Sequence, residues 1–416
     1  MRKMIDSHDD CIGMIPWKWQ FPRLKFHCSI KNGSDPQTTD GNTPVYGSGE
    51  GIVKYCEEFK EGPVILLGRK GTLDKPKFIE GRFWNVDTAM DAYPSNDINP
   101  KYLFYVACIL DIPRYATCTA KPSMTQTDYY NMVIPYPPMD EQDAIVSYIE
   151  AHVRNVNEAI SRSKAIIEKL IEYRKSVITQ AVTKWGVTTK GTQKTHIPEF
   201  PIVANGFTLQ RIKFLLSSEQ NNLKVGPFGS ALPSRCFVSE GIWVYNQRTV
   251  LDNNFETNDT CISPETYNAL KGFEVYPGDI ILTTRGTIGK AAIVPPKTPL
   301  GILHPCLIRF RVNEQIILRE YVLCILNDTS IVLDQIKRKS GATTIEALYS
   351  YALKDVTIPV PPIREQKQIL SFVKSKRAEI DDAISRQQTI IEKLEEYKKS
   401  LIYNAVTGKI DCRKET

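Results

Sequence analysis

The sequence lacks the residue patterns that hold metals, and it lacks an apolar run long enough to cross a membrane. None of its ten cysteines forms a C-x-x-C pair, and its five histidines show no metal-ligand spacing. These absences exclude a zinc ribbon and a thioredoxin-type redox motif. The longest apolar run, residues 102–110, is too short to span a bilayer, and the polar start of the chain is unlike a signal peptide. We therefore expect a cytoplasmic protein that holds no metal and contacts no membrane.

The cysteines are expected to be reduced and part of the core. Cys108 and Cys324 lie inside apolar runs, where a thiol behaves as a small hydrophobic side chain. Disulfides are rare in the cytoplasm, so a disulfide framework is not expected.

Complete catalytic motifs are also absent. The stretch from Gly286 to Lys290 suggests a phosphate-binding loop, but Thr284 replaces the first required glycine and Ala291 follows the lysine. The Glu-x-Lys fragments at residues 58–60 and 396–398 lack an acidic partner, so we interpret them as surface charge. No glycine-rich cofactor loop follows a predicted strand. The chain is therefore predicted to have no catalytic site and no cofactor of its own.

Length and charge restrict the function only weakly. A chain of 416 residues suggests two or three domains, and its hydrophobic share of 42% is ample for sizeable cores. The formal net charge of +6 is a mild bias towards anionic partners, which does not by itself indicate nucleic acid.

An internal repeat organises the chain. Residues 134–142 (IPYPPMDEQ) recur as residues 358–366 (IPVPPIREQ), and the IIEKL sequence at 166–170 recurs at 390–394. The two copies align without a gap through residues 183 and 407, and about half of their positions are identical. A repeat of this kind indicates duplicated structural elements.

Each copy is predicted to be a long helix with a clear start. The Pro-Pro pair prevents an upstream helix from continuing through it. Glu141 and Glu365 fall near the N-terminus of the predicted helix, where the helix dipole favours a negative charge. Apolar residues then recur at alternating spacings of three and four, which predicts a coiled-coil seam. The predicted seam residues are Ile160, Ile167, Leu170 and Val177 in the first copy and Ile384, Ile391, Leu394 and Leu401 in the second. We expect the copies to pair antiparallel; the alternative is an amphipathic helix packed on its own domain.

Two globular modules flank the helices. The predicted division is a first module at 1–133, a first helix at 134–189, a second module at 190–357 and a second helix at 358–416. The modules share landmarks: RLKF at 23–26 resembles RIKF at 211–214, and residues 62–73 resemble residues 277–288. In the latter pair, a turn leads into a short apolar strand that delivers an arginine and a Gly-Thr turn. Short strands and long loops are expected in both modules.

These landmarks resemble those of the specificity subunits of type I restriction–modification enzymes. The resemblance rests on the Pro-Pro and Glu-Gln elements at 137–142 and 361–366, the PVYGS segment at 44–48, the GRKGT segment at 68–72 and the GPFGS segment at 226–230. It implies a mixed α/β fold with two target-recognition domains separated by two long antiparallel helices in a pseudo-twofold coiled coil. It also implies a non-catalytic chain that reads a two-part, gapped site in double-stranded DNA.

The resemblance implies partners as well. Two methyltransferase (modification) subunits would bind the helices and carry S-adenosylmethionine. Restriction subunits that translocate DNA would complete the enzyme, and ATP and magnesium are expected on the partners rather than on this chain.

Candidate DNA contacts lie on the loops of both modules. Lysine and arginine suit phosphates, whereas asparagine, glutamine and arginine suit two-point contacts with base edges. The candidates in the first module are Arg69, Lys70, Thr72, Lys75 and Lys77, and those in the second are Asn246, Gln247, Arg248, Arg285, Thr287 and Lys290. For each of them, a solvated loop residue without a DNA contact is the alternative.

Two other classes of protein stay open at this point. A stand-alone nuclease–methyltransferase would need catalytic motifs, which the sequence lacks. A helical scaffold that binds proteins would be consistent with the repeat alone. Salt-dependent binding to duplex DNA would separate a DNA reader from such a scaffold.

Overall fold

A computed structural model describes residues 2–7, 9–10, 12–117, 122–340 and 346–414. It divides into two compact units, Met1–Ala165 with Gln387–Thr416, and Ile166–Arg386. The boundary between the units therefore falls within both long helices. In the described residues, no helix is both long enough and apolar enough to cross a membrane.

The first unit is built on two four-stranded sheets. One is antiparallel, with strand order β3-β10-β7-β8, and the other has the order β5-β4-β9-β6, in which β4 and β9 are parallel. The strands are β1 (Met4–Asp6), β2 (Met14–Pro16), β3 (Cys28–Asn32), β4 (Thr43–Tyr46), β5 (Ile52–Cys56), β6 (Lys60–Glu61), β7 (Val64–Gly68), β8 (Lys77–Ile79), β9 (Arg82–Asn85) and β10 (Ala89–Pro94). The helices are α1 (Pro100–Ala107), α2 (Ile112–Tyr115), α3 (Gln126–Asn131) and α4 (Met139–Lys184), the last of which continues into the second unit.

The second unit also contains an antiparallel four-stranded sheet and a four-stranded sheet with one parallel pair of strands. Its antiparallel sheet has the order β14-β21-β18-β19, and its other four-stranded sheet, β15-β17-β16-β20, pairs β16 with β20 in parallel. Its helices are α5 (Val187–Lys190), α6 (Gln247–Leu251), α7 (Pro264–Leu270), α8 (Arg319–Asp328), α9 (Ile331–Ser340), α10 (Ser350–Lys354) and α11 (Ile363–Val406). Its strands are β11 (Thr192–Lys194), β12 (Ile202–Ala204), β13 (Thr208–Arg211), β14 (Leu223–Val225), β15 (Phe237–Val238), β16 (Ile242–Tyr245), β17 (Cys261–Ile262), β18 (Ile280–Thr283), β19 (Ala291–Ile293), β20 (Gly301–Leu303), β21 (Leu307–Phe310) and β22 (Thr357–Val360).

The central strand of each antiparallel sheet is an apolar run, as the sequence predicts. Every residue of β7 and of β18 is buried. Such runs without polar alternation are typical of strands that are covered on both faces. The strand order of the antiparallel sheet is the same in both units, which indicates that the two modules share this part of the fold although their sequences differ.

The long helices begin where the Pro-Pro pairs predict. The carbonyl oxygen of Pro138 accepts hydrogen bonds from the backbone N–H groups of Glu141 and Gln142, both at 3.0 Å, and Pro362 does the same for Glu365 and Gln366. Helices α4 and α11 contain 46 and 44 residues, so the prediction of two long helices is confirmed.

Within each unit, the helices pack antiparallel. In the first unit, Ile145 and Ile149 near the start of α4 share a buried cluster with Leu401 and Val406 near the end of α11. In the second unit, the end of α4 shares a cluster with the start of α11, through Ile178, Val182, Ile369 and Val373. Hydrophobic clusters therefore join both helix ends to the modules.

Two glutamines and two tyrosines tie the modules to the helices in the same way in both units. The Gln142 side-chain oxygen accepts from the backbone N–H of Asn99 at 2.8 Å, and that of Gln366 accepts from Leu318 at 2.8 Å. The Tyr102 hydroxyl donates to Val406 O at 3.4 Å, and the Tyr321 hydroxyl donates to the equivalent carbonyl, Val182 O, at 3.1 Å. Because these four side chains are buried, the hydrogen bonds satisfy groups that would otherwise be desolvated without a partner.

All eight predicted seam residues are buried or half-buried. Ile160 and Leu401 are buried, whereas Ile167, Leu170, Val177, Ile384, Ile391 and Leu394 are half-buried. The polar seam residue Arg174 pairs with Asp381 at 2.7 Å, and Lys398 donates to Asn157 at 2.9 Å. Each pair lies within one unit and joins α4 to α11.

The expectation that cysteines in apolar runs lie in the core is confirmed for Cys324 and wrong for Cys108. Cys324 is buried, but Cys108 is exposed because it caps the C-terminal end of α1 rather than lying on its packed face. Cys11 and Cys118, which belong to the same expectation, and His8 lie outside the described residues.

Candidate nucleic-acid interface

The two modules build the same loop after the buried strand of the antiparallel sheet. In the first unit, the backbone N–H of Arg69 donates to Thr88 O at 2.8 Å and its carbonyl accepts from Met124 N at 2.9 Å. In the second unit, Thr284 makes the equivalent bonds with Cys306 O and Leu348 N, both at 2.8 Å. These bonds make Lys70 and Arg285 counterparts, as the alignment of residues 62–73 with 277–288 predicts.

A glycine turn follows the basic residue in both loops. Gly71 and Gly286 have φ angles of 83° and 65°, a left-handed conformation that favours glycine because it has no Cβ. Thr72 and Thr287 come next, the first half-buried and the second exposed. The glycine is therefore a backbone requirement of this turn, and the residue before it differs between the two modules.

In the first unit, the candidate contacts are largely engaged within the protein. The Lys70 ammonium lies 2.9 Å from an Asp87 carboxylate oxygen, and Lys75 lies 2.5 Å from Glu50. The hydrogen bond to Glu50 raises the pKa of Lys75. Arg69 donates to the backbone carbonyl of Asp87 at 3.2 Å. These basic side chains would reach phosphates only by leaving their present partners.

The PVYGS segment is hydrogen-bonded both to the fifth candidate of this unit and to the GRKGT loop. Lys77 donates to Gly47 O at 2.5 Å, and burial lowers the pKa of its ammonium. The Ser48 hydroxyl donates to Lys70 O at 2.7 Å. Two segments that are 20 residues or more apart in sequence thus form one surface.

The cluster at residues 245–249 has a structural role in addition to any contact with DNA. The Asn246 side chain caps helix α6, where it accepts hydrogen bonds from the backbone N–H groups of Arg248 and Thr249 at 2.9 and 3.3 Å. Arg248 is exposed and lies 3.3 Å from Asp259. Asparagine is a preferred N-cap residue because its oxygen satisfies otherwise unpaired helix N–H groups. The side-chain oxygen of Asn246 is therefore occupied.

Gln247 joins this cluster to the Arg285 loop. With its amide oriented so that the nitrogen faces Arg285 O at 3.3 Å and the oxygen faces Thr287 N at 2.9 Å, it bridges the two sides of the glycine turn. The structure thus brings together Gln247, Arg285 and Thr287, three candidates from two separate parts of the sequence.

Arg285 and Lys290 are the available cations of this surface. Both are exposed, and neither forms an ion pair with a carboxylate of the described residues. An arginine in this state can contact a phosphate or a guanine edge without first breaking an internal ion pair.

A pocket beside Arg285 contains side chains that the sequence analysis missed. It has a volume of about 540 Å³ and is bordered by three exposed aromatic residues, Phe228, Tyr349 and Tyr351. Phe228 was identified only as part of a loop, and the tyrosines lie more than 100 residues away along the chain. The Tyr-Ser-Tyr sequence at residues 349–351, ahead of the second Pro-Pro pair, was the signal that could have indicated them.

The Glu-x-Lys fragment of the first unit is a structural element. Glu58 accepts hydrogen bonds from the backbone N–H groups of Gln37 and Thr38 at 2.7 and 3.0 Å, and Lys60 lies 3.1 Å from the buried Asp91. The hydrogen bond from the Thr38 hydroxyl is the main cause that lowers the pKa of Glu58 to about 2. No group of three or more His, Cys, Asp or Glu side chains in the described part of the chain could hold a metal ion.

Both long helices carry exposed apolar residues outside the seam. Ile166 and Tyr173 on α4 are 43% and 52% exposed, and Ile390 and Tyr397 on α11 are 43% and 53% exposed. Each pair is seven residues apart, so its members lie on one face of a helix. The match in residue type and exposure shows that the repeat preserves these positions as well as the seam.

The chain is similar to known proteins along most of its length. It is 26% identical over 320 residues to the putative type I restriction enzyme MjaX specificity subunit of Methanocaldococcus jannaschii, covering 76% of this chain and 69% of that protein. It is 23% identical over 388 residues to the type I restriction enzyme EcoBI specificity subunit of Escherichia coli, covering 90% and 78%.

The fold has a solved counterpart. A chain from a study of complex assembly and conformational transition of the type I restriction–modification system matches 95% of this chain and 99% of its own length, with a TM-score of 0.63 and 16% identity. The sequence profile described as type I restriction modification DNA specificity domain matches residues 16–169 and 229–400, each of which includes most of one module and most of the following helix. This chain is therefore a member of the type I restriction–modification DNA specificity family.

Proposed function

We propose that this chain is the DNA specificity subunit of a type I restriction–modification enzyme. It reads a two-part DNA site, one part with each module, and directs partner subunits that methylate or cleave DNA. The observation that supports this most directly is the duplicated loop, which presents different basic residues, Lys70 and Arg285, from the same backbone framework.

The loop suits sequence reading because its backbone and its side chains have separate tasks. The strand, the glycine turn and the backbone hydrogen bonds position the loop in both modules. Side chains around it differ between the modules: Asp87 pairs with Lys70, whereas Gln247 and exposed aromatic residues surround Arg285. Each base pair presents its own pattern of hydrogen-bond donors and acceptors, which protein side chains recognise. Two different sets of side chains therefore correspond to two different half-sites.

The catalytic chemistry belongs to the partners in this proposal. Two modification subunits would dock on the helices, and the exposed pairs Ile166 with Tyr173 and Ile390 with Tyr397 are apolar surfaces suited to two identical partners. S-adenosylmethionine would be bound by the modification subunits, and ATP and magnesium by the restriction subunits. The complex would act on chromosomal and incoming DNA in the cytoplasm.

Deleting the gene for this chain and sequencing methylated adenines in the host DNA tests the proposal. A gapped, asymmetric motif should be methylated in the parent strain, should disappear on deletion and should return when the gene is restored. Methylation that is unchanged by deletion would refute the proposal.

Binding to duplex DNA by the complex with the modification subunits separates this function from a protein scaffold. Phosphate contacts release counterions, so the logarithm of the binding constant should fall steeply and linearly with the logarithm of the salt concentration. An affinity for DNA that does not depend on salt would favour the scaffold. The family membership already argues against that alternative.

A further inference from the structure

The aromatic pocket of the second unit has the composition of a nucleotide-binding site. Phe228 and Tyr351 are 86% and 71% exposed, so their rings contribute little to the core. The rings of Tyr349 and Tyr351 stack on one another, with centroids 5.6 Å apart and planes 13° apart. An exposed stacked pair of this kind presents a flat, preformed surface to a third aromatic ring.

The charged side chains of the described residues that line the pocket are all basic. Among the described residues that line it, the charged side chains are Lys224 and Arg285, and no carboxylate is present. The Lys224 ammonium is held 4.8 Å from the centre of the Phe273 ring. A neighbouring pocket of the same unit differs, because its Arg311 and Arg319 are neutralised by Glu219 and Glu314. The aromatic pocket is thus complementary to a ligand that is both anionic and aromatic.

We propose that this pocket takes one unstacked nucleotide of the bound DNA, with its base on the aromatic residues and its phosphate at Arg285. This inference rests on the proposed DNA-reading function. The two tyrosine rings are too close for a base to enter between them, so the base would stack on the outer face of Tyr351, beside Phe228. Stacking on aromatic side chains is the usual way in which proteins hold bases outside a duplex.

The first unit has the same backbone framework without the aromatic residues. Met124 and Leu348 make the equivalent hydrogen bonds, so Thr125 corresponds to Tyr349 and Thr127 to Tyr351. Gly33 and Gly226 donate to Ala89 O and Leu307 O in the same way, which places Asp35 where the second unit has Phe228. The pocket therefore belongs to one half-site only, and the other half-site is an internal control.

Affinity for DNA with single unpaired bases tests the inference. The complex of this chain with its modification subunits would be titrated with duplexes carrying the methylated motif, in which an abasic residue replaces the partner of each base in turn. The partners of the target adenines are left intact, because a methyltransferase itself extrudes the base that it modifies. Extruding a base costs unpairing energy, so removing its partner should tighten binding at one position of the second half-site. No such position is expected in the first half-site.

Phe228→Ala and Tyr351→Ala should each weaken binding of the intact motif about tenfold and abolish the tightening. Phe214→Ala is the matched control, because Phe214 is 64% exposed in the same unit but does not line the pocket. It should change neither the affinity for the intact motif nor the tightening. Tight binding of the motif without a tightened position, or pocket variants that bind as the wild type does, would overturn the inference while the proposed function stands. A complex that does not bind the motif at all would instead refute the proposed function.

Discussion

The Lys70 ammonium lies 2.9 Å from the Asp87 carboxylate, while Arg285, which occupies the same position in the second module, is exposed and has no carboxylate partner in the described residues. The two modules thus present unequal charge at the same turn. In the first, a cation is partly neutralised; in the second, it is available.

This asymmetry predicts unequal effects of two matched substitutions. Arg285→Ala should weaken DNA binding and reduce the slope of log affinity against log salt by about 1, which corresponds to one lost phosphate contact. If Arg285 contacts a guanine edge instead, the loss should be restricted to one base pair of the second half-site. Lys70→Ala should have a smaller effect because the Asp87 carboxylate already competes for that ammonium. Titration of the complex at several salt concentrations measures both, and equal effects would contradict the structural difference.

The buried glutamines at the helix starts should be important for stability. Gln366 accepts from Leu318 N at 2.8 Å and donates to Ile316 O at 2.9 Å and Pro361 O at 2.8 Å. Gln366→Leu would leave these buried backbone groups without partners, so it should lower the free energy of unfolding by about 2–5 kcal/mol. Urea denaturation measures this, with the exposed Gln368→Leu as control. A loss below about 1 kcal/mol would show that the amide is not a structural connection.

The sequence predicted the helices better than it predicted the loops, for a physical reason. Helix starts depend on local chemistry, and the Pro-Pro pairs with their following carboxylates place them correctly at Met139 and Ile363. The roles of loop side chains depend on distant partners. Asn246 suits base reading by residue type, yet its oxygen caps α6, and Lys75 suits a phosphate, yet it pairs with Glu50.

Contacts between residues that are far apart in the sequence explain why the aromatic pocket was not predicted. The aromatic pocket combines Phe228 with Tyr349 and Tyr351 through a sheet whose strand order a single sequence does not specify. Cys108 lies in an apolar run, but only the end of α1 decides that it is exposed. The similarity of residues 62–73 to residues 277–288 did indicate equivalent loops, because it aligns Lys70 with Arg285.

Glu58 should make the first unit sensitive to acid. Its folded pKa of about 2 lies below the ordinary value of 4.5, mainly because of the hydrogen bond from Thr38. A lowered carboxyl pKa stabilises the folded state fully above the unfolded pKa, and this contribution is lost as the pH falls from about 4.5 through about 2. The stability difference between wild type and Glu58→Gln should therefore shrink over that range in urea denaturation at each pH. A difference that is independent of pH would contradict the role of the carboxylate.

The exposed helix pairs should act in partner binding rather than in folding. Tyr173→Ala and Tyr397→Ala each remove a half-exposed side chain, so each should change the free energy of unfolding by no more than about 0.5 kcal/mol. Association with the modification subunit should weaken, and the double variant should bind fewer copies than wild type. Leu401→Ala, at the buried seam, is the contrasting variant and should destabilise by about 2–5 kcal/mol. Mass measurement of the assembled complex gives the copy number, and an unchanged assembly would place the docking surface elsewhere.

Exchange of one module tests most directly whether the two units read separate half-sites. Residues 190–357 would be replaced by the corresponding module of a specificity subunit with a different motif, with both long helices kept, and the methylated adenines of the host DNA would be sequenced. One half of the methylated motif should change to that of the donor, while the other half and the gap between them stay the same. A motif that remains entirely unchanged, or that changes in both halves, would contradict independent reading by the two modules.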